Sequence, residues 1–210
     1  MARFAPLVPD VFGSTGAQYR REVELGSRIA DIVAWASPEV ADGETLASLK
    51  RASVGDLAVL AHLLERPLSA RTLAERTFAS VDAVEARMWT LDRWGLVSRE
   101  RSTYAVGVWA DRLPTEVVAV EAKLEDWRSA VAQASYYARF ADAAWVLLPA
   151  DASAARGARD ACREAGVGLL LFDGETVLKP VRARRSQGPR YLRRLMKLRL
   201  AWTLARGSDA

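Results

Sequence analysis

Residues 117–127 read VVAVEAKLEDW, a run of small and β-branched apolar residues that carries Glu121 and Lys123 two apart in its middle. A strand buried on both faces has no place for either charge. Side chains along a strand alternate between faces. Glu121 and Lys123 therefore share one face with Val117 and Ala119, while Val118, Val120, Ala122 and Leu124 take the other. Asp31 occupies the middle of a second such run, RIADIVAW (28–35), with an apolar residue on each side. If the two strands are neighbours, Asp31 and Glu121 converge. Two carboxylates with the carbonyl of Ala122 then make an all-oxygen site that suits Mg²⁺ or Mn²⁺. Lys123 beside it would position and deprotonate a water and stabilise charge on a phosphate.

Composition supports carboxylate chemistry by removing its rivals. Cys162 is the single cysteine and His62 the single histidine, so an internal disulfide, a multi-cysteine zinc site and a histidine cluster are all excluded. Both lie in helical stretches and read as structural. A chain of 210 residues holds one elaborated domain or two small ones. No apolar run approaches the roughly 20 residues that span a bilayer. The opening MARFAPLVPD also lacks the apolar segment of a signal peptide, so a cytoplasmic location is expected.

The pattern along the chain changes twice. Residues 19–35 read as two strands around the Gly26-Ser27 turn, and a polar, turn-rich linker follows. From Val54 the period becomes helical, with Leu57, Leu60, Ala61 and Leu64 on one face; Ser69 and Ser80 are candidate caps for two further helices, and Gly95 is a stop. LVSRERSTYAV (96–106) then alternates like a hairpin. Three helices and a hairpin over 53–107 resemble the winged helix-turn-helix of bacterial regulators, with Ser80–Trp94 in the place of the recognition helix. This segment has seven arginines against seven acidic residues, so it offers a duplex little phosphate neutralisation beyond Arg99 and Arg101 in the wing. After it, strands and helices alternate to residue 181, which indicates an α/β layer with a mixed sheet. The expected organisation is 1–36 and 113–210 as two parts of one α/β domain, with 37–112 inserted between them.

Asp31, then Glu121-Ala122-Lys123 on a later strand, then a helix and a strand, resembles the PD-(D/E)XK nuclease superfamily, the restriction-endonuclease-like fold. Gln133 and Tyr137, four apart on the following helix, are similar to the Gln-x-x-x-Tyr element of its RecB-type and Holliday-junction branch. The resemblance covers 19–36 and 115–181 and implies Mg²⁺-dependent hydrolysis of DNA, as in repair or phage defence. It makes Asp31, Glu121 and the Ala122 carbonyl metal ligands, Lys123 the water-orienting residue, and Gln133 and Tyr137 supports of the site. The acidic residue that many members add from a preceding helix has only Asp10, Glu22 and Glu24 as candidates here. A bare Glu-x-Lys is common, but lysine occurs only at 50, 123, 179 and 197 among 30 basic residues, so one kept in mid-strand points to a need for a compact ammonium.

The net charge of +4 is uneven. From Lys179 onward ten basic residues face Asp209 alone, which leaves the rest of the chain at −5. Arg182, Arg184 and Arg185, together with a helical ridge of Arg190, Arg193, Arg194 and Lys197, form a footprint for a polyanion. DNA is the expected partner. The same helix, with Tyr191, Leu195, Leu198 and Trp202 on its apolar stripe, also suits a contact with a second copy of the chain or a membrane surface. Two other readings stay open: a DNA-binding protein that has lost cutting, and a protein-interaction module. In both, Glu121 and Lys123 would be a surface ion pair on a half-exposed strand.

Overall fold

The computed structural model describes Phe12 and residues 18–36, 48–150 and 155–207. The chain divides into two compact units, one of Met1–Ser37 with Pro114–Pro189 and one of Pro38–Leu113 with Arg190–Ala210. The first holds β1 (Gln18–Leu25), β2 (Arg28–Ala36), β5 (Glu116–Ala122), α4 (Trp127–Tyr137), β6 (Ala143–Pro149), α5 (Ala155–Ala165), β7 (Gly168–Phe172) and β8 (Val177–Val181). The second holds α1 (Val54–Leu63), α2 (Ala70–Thr77), α3 (Val81–Arg93), β3 (Val97–Glu100), β4 (Thr103–Val106) and α6 (Arg190–Gly207).

The first unit is a mixed six-stranded sheet in the order β1-β2-β5-β6-β7-β8, flanked by helices. β1 and β2 form an antiparallel hairpin through Gly26-Ser27. Gly26 has φ +68, and a Cβ there would strike the Tyr136 hydroxyl and the Phe140 ring, so only glycine lets this turn lie against the end of α4. Ser27 fixes the same contact, its N–H donating to the Tyr136 hydroxyl at 2.9 Å. β2 then pairs antiparallel with β5, Ile32 opposite Val120 and Ala34 opposite Val118, which is the pairing expected from their matching strand character. β5, β6 and β7 run parallel, joined through α4 and α5, and β8 returns antiparallel. On one face Ile32, Ala34, Val118, Val120, Trp145, Leu147 and Leu170 form an apolar cluster. The start of β5 is pinned by Asp142, a buried carboxylate that accepts from the Val117 N–H at 2.9 Å while its own N–H donates to the Val117 carbonyl at 2.7 Å.

In the second unit the expected caps are in place. Ser69 and Ser80 accept from the N–H groups of Thr72 and Ala83, and Ser53 with Asp56 forms a capping box at α1. Leu57, Leu60, Leu73, Met88, Leu91 and Leu96 are fully enclosed in its core, and β3 and β4 make the expected hairpin. One boundary differs from expectation. Residues 190–210 group with this unit rather than with the second part of the α/β domain, because the apolar stripe of α6 completes the core around α1. The Trp202 Nε1–H donates to the Ala52 carbonyl at 2.9 Å, and Tyr191 stacks on His62 with ring centroids 4.3 Å apart. The first unit leaves off at Ser37 and resumes at Pro114, and Pro38–Leu113 belongs to the second. No helix among the described residues is long and apolar enough to cross a membrane.

Removing the Asp142 clamp tests how the sheet is anchored. Asp142→Ala leaves the buried Val117 N–H without its charged acceptor and is expected to lower unfolding free energy by about 1.5–3 kcal/mol. Urea unfolding followed by circular dichroism measures this; a change near zero would mean that the start of β5 is held by other contacts.

Candidate active site

The register that sets Ile32 opposite Val120 brings Asp31 level with Glu121 on the adjoining strand. An Asp31 Oδ2 accepts from the Ala122 N–H at 2.8 Å, a bond across 91 residues of sequence that locks this alignment. Glu121 is 2 % exposed. Its Oε1 lies 2.8 Å from Lys123 Nζ, and its Oε2 accepts from the Tyr137 hydroxyl at 3.1 Å. That hydroxyl also donates to the Ile29 carbonyl at 2.7 Å, so a single proton serves two acceptors and ties α4 to β2 and β5 at once. Lys123, just past the end of β5, has its backbone N–H fixed on the Leu147 carbonyl and keeps about a third of its side chain in solvent.

Burial pushes the Glu121 carboxyl above the ordinary carboxylate range. The hydrogen bond from Lys123 opposes that shift, and the charge of Asp31 adds to it. In return the hydrogen bond to Glu121 raises the Lys123 ammonium, and burial, followed by the Glu121 charge, raises the Tyr137 phenol. Lys123 is thus held protonated. In this arrangement it is a donor and a positive charge, and the expected role of removing a proton from water does not fit it.

Of the residues expected at the site, Asp31, Glu121, Lys123 and Tyr137 come together. Gln133 does not join them. Its Nε2 donates to Ser129 Oγ at 2.8 Å on the same helix, because one turn separates those two positions. Ala122 contributes its N–H to Asp31. Among the proposed extra acids, Asp10 lies outside the described residues, and Glu22 and Glu24 are exposed on β1. Glu22 falls between the Arg21–Ile32 and Val23–Ala30 pairs, level with Asp31, with a left-handed backbone at φ 54. No group of three or more His, Cys, Asp or Glu side chains arranged to hold a metal occurs among the described residues.

The donor set nonetheless fits one hard divalent cation. Mg²⁺ takes one or two carboxylates and leaves its other positions to water and phosphate. A buried glutamate whose carboxyl is raised by burial and by the charge of a second carboxylate is also an arrangement that a cation would relieve. An apolar recess of about 140 Å³ opens next to Lys123, between Leu124, Leu147, Pro149 and Phe172. Nothing in the sequence marked it, because its wall comes from three separate strand ends. A larger cleft lies away from this site.

The basic residues are divided between the units. Arg182, Arg184 and Arg185 follow β8 and are exposed, whereas Arg99, Arg101, Arg190, Arg193, Arg194 and Lys197 belong to the second unit. The ridge on α6 is less open than expected: Arg193, Arg194 and Lys197 are half-buried, and Arg194 pairs with Glu65 at 3.3 Å. Arg99 and Arg101 are exposed in the β3–β4 hairpin. Compared with protein-family models, with curated proteins and with solved structures, the chain has no match.

Because the folded carboxyl of Glu121 is raised, its contribution to stability is complete below the ordinary glutamate value of about 4.3 and is lost as pH climbs through the raised one. Glu121→Gln keeps the shape and removes the titration. Urea midpoints taken from pH 4 to pH 8 are expected to fall less steeply for the variant than for the parent. Parallel curves would show that Glu121 ionises in the fold as readily as in the unfolded chain.

Proposed function

We propose that the chain is a Mg²⁺-dependent DNA nuclease with a PD-(D/E)XK, restriction-endonuclease-like domain and an inserted winged helix-turn-helix. The observation that carries this reading is Asp31 level with a buried Glu121 on the next antiparallel strand, with Lys123 Nζ 2.8 Å from that glutamate. Asp31 and Glu121 would hold the ion, which would polarise the scissile phosphate and acidify a bound water. Tyr137 keeps Glu121 in its rotamer through the bond anchored on Ile29. Lys123 donates from its ammonium to the attacking water or to a non-bridging oxygen, where negative charge grows as the new oxygen–phosphorus bond forms and the old one breaks. The recess beside Lys123 offers an apolar wall to the flat face of a neighbouring base. Arg99 and Arg101 in the hairpin, and Arg184 after β8, would hold the phosphate backbone.

A second reading concerns the inserted unit. The exposed residues of α3 include Asp82, Glu85 and Asp92, while Arg87 is tied to Asp56 at 3.0 Å and Arg93 stacks on Trp89. Phe78, just before α3, is 98 % exposed and Trp89 62 %. An acidic face with two open aromatics suits a protein partner better than a phosphate backbone, in which case the chain would be a protein-interaction module.

Asp31→Ala and Glu121→Ala are expected to abolish Mg²⁺-dependent cleavage of plasmid and single-stranded DNA with binding largely kept. Lys123→Arg should lose most activity, because a planar guanidinium does not replace the ammonium. Cleavage unchanged in both carboxylate variants would remove the site from consideration. DNA binding without cleavage in the parent would favour a DNA-binding protein that has lost cutting, and neither binding nor cleavage would favour the protein-interaction module.

A further inference from the structure

The larger cleft has about 710 Å³ and lies within the first unit, at the end of the sheet remote from Lys123. It opens on the opposite face of the sheet from Glu121, because its floor is built by Ala34 and Val118, whose side chains alternate with those of Asp31 and Glu121. It is therefore separate from the candidate metal site. Its volume falls in the range of small-molecule pockets.

Aromatic rings and cations supply its lining. Trp145 stands at the wall with Phe12 packed against it edge-on, ring centroids 5.7 Å apart. The indole of Trp145 lies flat across the neighbouring strand only because position 168 is glycine: a Cβ there would come 2.1 Å from Cε3 of the ring. The Trp145 Nε1–H is buried and has no acceptor among the described residues. A sealed donor of this kind is costly, and native proteins keep few of them without a reason. Lys179, Arg182 and Arg185 line the same cleft. Of the two acids beside them, Asp142 is committed to the Val117 N–H, which leaves Glu116 at the opening as an acceptor for hydroxyl groups.

We propose that this cleft binds a nucleoside monophosphate unit, its base against the Trp145 ring and its phosphate on Arg182 and Arg185. A flat ring stacks on any base and guanidinium groups take phosphate with paired hydrogen bonds, whereas a purely apolar ligand would use neither Arg182 nor Arg185. The unit has two sources, a free nucleotide or one residue of a single strand. This proposal is independent of nuclease chemistry at Asp31 and Glu121.

Titration of the full chain with AMP, adenosine, inorganic phosphate and a deoxyadenylate 12-mer, read by calorimetry and by quenching of tryptophan fluorescence, tests it. AMP is expected to bind more tightly than adenosine or phosphate alone. The double variant Arg182→Ala/Arg185→Ala should weaken AMP by at least about tenfold, and Asp31→Asn should leave it unchanged. Trp145→Phe, which keeps a ring and removes the N–H, should reduce both affinity and quenching; its melting temperature checks that the fold survives. AMP tighter than the 12-mer, per site, identifies a free nucleotide, and the reverse identifies a strand. No binding of either, or binding that the arginine pair does not alter, would overturn the proposal.

Discussion

The antiparallel pairing of β2 with β5 is the constraint on which the first unit depends. It joins segments on either side of an inserted unit, and Ile32, Val33, Ala34, Val117 and Val120 are all buried at that seam. Closing so long a loop costs little more entropy than closing a short one, since the penalty grows only with the logarithm of length. The inserted residues offset their own ordering by forming a separate core. Register matters more than distance here. A slip of one residue would send Asp31 to the face opposite Glu121, and the bond from the Ala122 N–H to Asp31 holds the aligned register. Asp31 and Glu121 would otherwise be two unrelated acids, so the candidate site and the sheet stand or fall together.

Three carboxylates are buried among the described residues, and comparing them sharpens the case for Glu121. Asp56 caps α1 and pairs with Arg87, while Asp142 accepts from the Val117 N–H. Each meets backbone donors that the fold would otherwise leave unsatisfied, which is a sufficient structural reason for burial. Glu121 meets only side chains, Lys123 and Tyr137. Both partners are themselves perturbed by it, and neither needs it to complete a strand or helix. A well-packed apolar residue would serve the sheet at least as well. A buried charge that the architecture does not require is where chemistry is sought.

One sheet thus presents different chemistry at its two ends. At one end lies a carboxylate pair with an ammonium; at the other, on the opposite face, Trp145, Arg182 and Arg185 line one cleft. The basic tail that reads as one electrostatic feature in the sequence is in fact divided. Arg182, Arg184 and Arg185 stay with the sheet, and Arg190 onward joins the helical unit, where Arg194 is spent on Glu65. Charge counting along a chain does not distinguish a guanidinium that holds a neighbouring helix from one that faces solvent.

Elements and caps were legible from residue pattern alone. Strand alternation around Asp31 and Glu121, serine caps at 69 and 80, and the stripe Tyr191, Leu195, Leu198 and Trp202 are local signals, each determined by period or by a side chain reaching its own backbone. The sequence also determined that any metal would have to be held by oxygen, since it offers a single cysteine and a single histidine. Tertiary structure alone decided which candidates meet. Tyr137 reaches Glu121 and Gln133 does not, although both lie on one helix, because a few ångströms of helix placement separate a partner from a bystander. It also decided that α6 closes the core of the helical unit, that Lys123 is held as a donor, and that Trp145 lies over Gly168 beside a cleft. Those outcomes depend on distances between residues far apart in the chain, which no local pattern encodes.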